Sequence, residues 1–270
     1  MFDLTHTWVT ALPVEISRLQ KLRHLLVYRV IEADDLGGDD MMKELGRLNQ
    51  LWRLVIVKLR RENGAALCSS INMLTNLRAL LIMSTEENEI IDLESLSFPP
   101  FLQRLYLVGC LEKLPHRISS LHSLAKREKI LQFKAQGFQR LKVLGLDKLD
   151  VLKTVAVEMG AMPFLEKLIL QRYKSLHRLP SGIEHLSKLK LVEFFDMPDD
   201  LIMTIRPDID GGDNWKVAHV PEINSTYWRD DAWDVYSLDQ ARERDQLPPG
   251  AMNFLQIGNS IEKDSFPKGA

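Results

Sequence analysis

Cysteine is scarce in this chain: Cys68 and Cys110 are the only two in 270 residues. Two cysteines build neither a disulfide framework nor a metal cluster. No apolar run reaches the roughly 18–20 residues of a membrane helix, so no membrane span is expected. An excess of charge of one sign is also missing. Lys and Arg total 35 against 37 Asp and Glu, a net charge of −2, and bulk charge gives no reason to expect a nucleic-acid partner. No G-x-x-x-x-G-K-[ST] phosphate loop occurs. The seven histidines show no H-E-x-x-H and no other spacing that implies a metal. The opening "MFDLTHTWVTALP" lacks the basic stretch and apolar core of a signal peptide. The expectation is a cytoplasmic chain with no cofactor, no metal and no enzymatic constellation.

Leucine is what the sequence has in abundance, and 40 of its 44 leucines precede residue 200. They are ordered. An apolar residue, two spacers, a second apolar residue, one spacer and a third recur as LRHLLV (22–27), LWRLVI (51–56), LRALLI (77–82), LQRLYL (102–107), LKVLGL (141–146), LEKLIL (165–170) and LKLVEF (189–194). A second element, LPVEI (12–16), LPHRI (114–118) or LPSGI (179–183), precedes three stretches of the form xxLxxL. Joined, they read LPxxIxxLxxLxxLxL, the leucine-rich repeat.

The physical content of this pattern is direct. The last positions of LxxLxL alternate with period two, as a strand requires. The LPxxIxxL portion returns the chain along the outside as a loop, 3₁₀ turn or short helix, with proline where no N–H is needed. No repeat buries its leucines alone, and stacking does so. The expected fold is therefore α/β: a leucine-rich-repeat solenoid with a curved parallel sheet on its concave side and loops and short helices on its convex side, over residues 1–198. Spacings between first leucines are 29, 26, 25, 39, 24 and 24. The 39 exceeds one repeat and falls short of two. Within it, "SSLHSLAKREKILQF" (119–133) begins like the run-up to a strand and continues with charges at 126–129. We expect an irregular junction near 125–137, helix or irregular chain over 125–131, and a sheet interrupted between 102–107 and 141–146.

At this point the chain resembles a known family. LPVEISRLQKLRHLLVYR, KELGRLNQLWRLVIVKLRRENGAALCSSINMLTNLRALLI, LPSGIEHLSKLKLVEFFDMPDDLIMTIRP and WKVAHVPEINSTYWRDDAWDVY look like the C-terminal leucine-rich-repeat region of plant coiled-coil nucleotide-binding (NLR) disease-resistance receptors. The resemblance runs from about residue 4 to about 238. It implies a role in defence, with a protein partner: a pathogen effector, a guarded host protein, or a receptor switch domain acting in trans. With no phosphate loop among these 270 residues, no counterpart of that family's coiled-coil and switch domains is expected among them. Two junctions, "VYRVIEAD" (27–34) and the stretch after "SLHSL", look like deletions.

The spacers of each strand should face outward on the concave side. His24, Arg53, Arg104 and Lys167 would form a basic edge. Leu26, Val55, Leu81, Tyr106 and Ile169 would form an apolar middle column, with Tyr28 and Glu193 on the same face. An exposed apolar patch marks a contact site, and Tyr and Arg are favoured anchors. Two readings stand side by side: a protein-docking surface, or a face that a missing domain or the C-terminal segment covers.

Residues 199–239 hold ten Asp and Glu against three basic residues, together with three of the chain's tryptophans. This segment reads as an acidic, aromatic C-terminal cap, with an acidic docking surface as the alternative. "DIDGGD" (208–213) fails the calcium-loop pattern and reads as a turn. "NST" (224–226) is an idle sequon without a secretory signal. Cys110 and Cys68 read as buried structural thiols, and "KLRREN" (58–63) as a solvated turn. Residues 240–270 read as a mobile tail. The function expected is a protein-binding module. The alternatives are a general leucine-rich-repeat scaffold or adaptor, and a truncated receptor fragment without independent activity.

Overall fold

The computed structural model describes residues 2–3, 18–19, 21–28, 44–84, 91–109, 111–113, 118–122, 129–149, 153–206, 209–229 and 232–238. It is an α/β structure built on a mostly parallel sheet. The strands, in chain order, are β1 (Phe2–Asp3), β2 (His24–Tyr28), β3 (Arg53–Leu59), β4 (Ala79–Ser84), β5 (Ile91–Asp92), β6 (Arg104–Val108), β7 (Leu111–Lys113) and β8 (Ile118–His122). They continue with β9 (Lys129–Phe133), β10 (Val143–Asp147), β11 (Thr154–Val157), β12 (Lys167–Gln171), β13 (Leu191–Phe195), β14 (Glu222–Arg229) and β15 (Ala232–Ser237). Ten of them form one sheet in the order β1-β2-β3-β4-β6-β10-β12-β13-β14-β15.

Each of the seven LxxLxL segments supplies one strand of this sheet, and they pair without slippage at their first residues. Leu25 lies beside Leu54, Leu54 beside Leu80, and the row continues through Leu105, Leu144 and Leu168 to Val192. All seven are at most 4% exposed. A second buried row holds Ile56, Ile82, Leu107, Leu146, Leu170 and Phe194. Register is fixed because a one-residue slip would turn both rows to solvent. The backbone adds a continuous spine. The carbonyl of Trp52, for example, accepts from the N–H groups of Arg78 and Ala79 at 2.8 and 2.9 Å.

Between these strands the chain returns through a second layer. It contains the helix Gly64–Met73, the 3₁₀ turn Ile183–His185 and two small sheets, β5–β7 and β11-β9-β8. Several main-sheet strands end in the same left-handed turn. Gly109 has φ 99°, and Lys148, Arg172 and Asp196 have φ 54°, 46° and 46°. Gly109, Lys148 and Arg172 each donate their N–H across to the last residue of the following main-sheet strand, and Asp196 donates to Thr226 within β14, at 2.8–3.1 Å. At Gly109 a Cβ would also stand 1.9 Å from Ser84 Oγ, so only glycine fits there.

The long spacing resolves differently from the sequence expectation. Residues 129–131 are strand, not helix or irregular chain: β9 pairs parallel with β11 and antiparallel with β8. Nor is the main sheet interrupted. β6 pairs directly with β10, from Arg104 beside Val143 to Val108 beside Asp147. The surplus residues are taken up in the other layer, where β8 and β9 form a hairpin. Residues 123–128, with most of the charged run, lie outside the described residues.

Residues past 198 add to the same sheet and the same core. β14 pairs parallel with β13, and β15 pairs antiparallel with β14 and ends the sheet. Ile202, Ile205, Val217 and Ile223 are buried with the leucines of the earlier strands. Asp213 fastens this segment. Its carboxylate, 1% exposed, accepts from the Leu179 N–H at 2.9 Å and from Arg178 Nε and Nη2 at 3.0 and 2.8 Å, and Lys216 Nζ is 3.1 Å away. Burial raises its pKa, but the bonds from Arg178, Lys216 and Leu179 outweigh that and hold it below 3.8. The "DIDGGD" turn thus ends in an anchor onto the LP segment at 179–180. Residues 240–270, the expected tail, lie outside the described residues.

Two outcomes follow from this packing. Leu105→Ala should destabilise the chain by about 2–5 kcal/mol, the cost of a core cavity; an unchanged thermal melt would contradict the register. Asp213→Asn should cost about 1–3 kcal/mol near neutral pH. Because the folded pKa is depressed, the carboxylate's stabilisation is complete above about pH 4 and is lost as pH falls through the folded value. Urea melts from pH 7 to 3 should therefore show the wild type losing more stability at the acid end than the variant.

Candidate protein-binding face

The residues singled out on the strands fall into two adjacent rows of one face. The first row runs His24, Arg53, Ala79, Arg104, Val143, Lys167, Leu191, and the second Leu26, Val55, Leu81, Tyr106, Gly145, Ile169, Glu193. All eleven candidates except Tyr28 belong to these rows. Tyr28 pairs with Val57 in a third row, and its side chain lies outside the described residues.

The face is less uniform than alternation implies. Strands stand about 4.8 Å apart, so side chains on adjacent strands cover one another. Val55 and Leu81 are buried at 8% and 4% exposure, and Leu26, Tyr106 and Ile169 are half-buried. The apolar column is thus mostly a packed floor, not an open patch. Gly145 is part of the reason. A Cβ there would lie 2.2 Å from Cδ1 of Tyr106, so the Tyr106 ring rests across the neighbouring strand, where only glycine leaves room.

The basic edge is also corrected in part. Lys167 is paired with Glu193 at 2.9 Å. Burial, reinforced by the charges of Arg53 and Arg23, holds the His24 pKa below 6.5, so His24 is neutral near pH 7. Arg53 and Arg104 stand on either side of Ala79 in their row. Arg53, Arg104 and Lys167 border a groove of about 390 Å³.

A third array went unread in the sequence: the first spacer of each LxxLxL. Trp52 lies between Arg23 and Arg78, whose guanidinium carbons are 4.1 and 4.5 Å from its ring centroid, a double cation–π stack. Further along the same row Glu166 bridges Lys142 and Lys190 at 2.9 and 3.3 Å. Those bonds, Lys142's foremost, hold the Glu166 pKa below 4.5. The signal was available in the fixed position of Arg23, Trp52 and Arg78, each following the first leucine of its segment.

At the end of the face Arg172 donates two hydrogen bonds to Asp147, one of them Nε–Oδ1 at 3.0 Å, in a buried pair. Cys68 is fully buried, and burial pushes its thiol up to about 11, as befits a structural residue. Cys110 lies outside the described residues. Among the described residues no group of His, Cys, Asp or Glu is placed to hold a metal, and no helix is long and apolar enough to cross a membrane.

This geometry defines an α/β chain whose mostly parallel main sheet presents one continuous, partly charged face. Its relatives give that class a setting. Disease resistance protein RPM1 of Arabidopsis thaliana is 29% identical over 251 residues, covering 82% of this chain and 26% of that protein. Disease resistance protein RPP8 of the same plant is 28% identical over 218 residues, covering 67% of this chain and 24% of that protein. Probable disease resistance RPP8-like protein 2 is 33% identical over 136 residues, or 47% of this chain. The homologues of this chain are plant disease resistance proteins, and the resemblance read from its segments is borne out. The chain spans about a quarter of the length of the first two. No family model matches it, and no solved structure does. In the RPM1 match, 82% of 270 residues is about 221, against 251 aligned positions, so about thirty positions have no counterpart here.

The Tyr106–Gly145 contact is open to test. Gly145→Val should lift the ring off β10, cost about 1–3 kcal/mol and speed nitration of Tyr106 by tetranitromethane, read by peptide mass mapping. Unchanged nitration would show that the ring does not rest there.

Proposed function

We propose that this chain is a leucine-rich-repeat solenoid that binds protein through the outward rows of its main sheet. It acts in plant defence as a non-enzymatic counterpart of the C-terminal region of an intracellular coiled-coil nucleotide-binding receptor. One observation carries the reading. Seven LxxLxL segments align residue for residue in a single parallel sheet, in a chain whose homologues are disease resistance proteins. Such stacking leaves its interior to leucine and its outward rows to recognition. Residues 199–239 serve as the terminal cap, since β15 turns antiparallel and ends the sheet. The partner is a pathogen effector, a guarded host protein, or the switch domain of a full receptor in trans.

Of these partners, the switch domain can be tried before any effector is identified. A tagged coiled-coil and switch-domain fragment of a homologous receptor should capture the chain. The double variant Arg104→Glu/Ile169→Asp should weaken capture by about thirtyfold or more, the scale of hot-spot loss, with an unchanged circular dichroism spectrum. Capture that is indifferent to both substitutions would remove this face from the interaction.

A further inference from the structure

The chain enters the strands of the main sheet along one rim, and that rim is basic. In the row that follows the first leucines stand Arg23, Arg78, Lys142 and Lys190, with Trp52 between the first two and Glu166 between the last two. From Trp52 onward each N–H of this row donates to the carbonyl of its neighbour on the preceding strand, at 2.7–2.8 Å. Six strand steps of about 4.8 Å make the row about 29 Å long. The row that precedes the first leucines adds Lys21, Arg140 and Lys188, together with Phe101 and Phe164. The two rows hold seven basic residues against one carboxylate, in a chain whose net charge is −2.

These charges stand open. Lys21, Arg23, Arg78, Arg140 and Lys188 are exposed, and the side chains of Lys142 and Lys190 are 52% and 69% exposed. Their contacts leave the charge in excess. Arg23 and Arg78 lie over the neutral Trp52 ring, and Arg140 lies 4.6 Å from the centre of the Phe101 ring. Lys142 and Lys190 share the single carboxylate of Glu166. Among the cations Phe101 and Phe164 are 41% and 54% exposed.

We propose that this rim rests on an anionic phospholipid surface, with its lysines and arginines among the headgroups and Phe101 and Phe164 entering the headgroup layer. Clustered basic residues are drawn to an anionic leaflet, aromatic side chains settle at the membrane–water interface, and stable attachment takes more than one kind of signal. The rim supplies both along one line. Its leading cations recur on every second strand, at steps of about 9.6 Å, which suits a surface of repeated charge better than a single bound group. Trp52 and Phe101 already carry guanidinium groups on their rings, so they are poor platforms for the base stacking that single-stranded nucleic acid uses. The inference is independent of the protein-binding face proposed above.

The test is co-sedimentation of the whole chain with vesicles of phosphatidylcholine alone and of phosphatidylcholine with one-third phosphatidylserine. The anionic vesicles should bind at least about tenfold more tightly, and added salt should weaken that binding. Lys188→Gln/Lys190→Gln should lower it about tenfold. Phe164→Ser should lower it severalfold. Lys153→Gln/Lys174→Gln, which removes the same charge past the far ends of β10 and β12, should leave it unchanged, with thermal melts confirming folded variants. No preference for the anionic vesicles would overturn the proposal. Binding that is indifferent to both Lys188→Gln/Lys190→Gln and Phe164→Ser would remove the rim from it. Polyglutamate or oligothymidylate bound as tightly as the anionic vesicles, with the same lysine dependence and no effect of Phe164→Ser, would overturn the lipid surface in favour of an acidic protein or a nucleic acid.

Discussion

The leucines of one LxxLxL segment are buried against those of the next and against the second layer, and the rest of the structure depends on that stacking. A single five-residue strand has nothing to pack against. Seven of them in register give two unbroken apolar rows, from Leu25 to Val192 and from Ile56 to Phe194. At about 1.5–3 kcal/mol for each large buried side chain, those rows outweigh any surface ion pair. Leaving register would expose both rows at once, so the outward residues inherit fixed positions they do nothing to secure. His24, Arg53 and Arg104 share a row because Leu25, Leu54 and Leu105 do.

The same constraint explains how an awkward spacing is absorbed. The interval of 39 residues between Leu102 and Leu141 could have opened the sheet. The sheet instead closes directly from β6 to β10, keeping the leucine rows whole, and the surplus chain folds as the β8–β9 hairpin in the other layer, where β9 still finds a partner in β11. A consequence is that Tyr106 and Gly145 become neighbours, and the ring of one fills the space the other leaves.

Much of this was legible in the sequence. Period-two alternation after each first leucine grouped these residues into rows, and strand pairing sets them side by side in the same order. What was missed shares a physical cause: alternation says which way a side chain points, not what stands beside it. Val55 and Leu81 point outward yet are buried, because neighbours about 4.8 Å away close over them. Lys167 looked like part of a basic edge until Glu193 stood next to it. Asp213 looked like a turn residue, and its bonds to Arg178 and Leu179 join positions 34–35 residues apart, beyond any local pattern. At Lys129–Phe133, charged residues just before it suggested irregular chain, and pairing with β11 decided otherwise.

The claim on which the face, the groove and the closed sheet all rest is that β6 and β10 are immediate neighbours. Disulfide formation between cysteines placed at Arg104 and Val143, in a Cys110→Ser background, tests it directly. Neighbouring strands hold these Cα atoms about 4.8 Å apart, inside the reach of a disulfide, whereas an intervening strand would hold them about 9.6 Å apart, beyond it. The account predicts that the Arg104→Cys/Val143→Cys chain cross-links under mild oxidation without loss of folded structure. A folded chain whose two thiols stay free under the same conditions would contradict it.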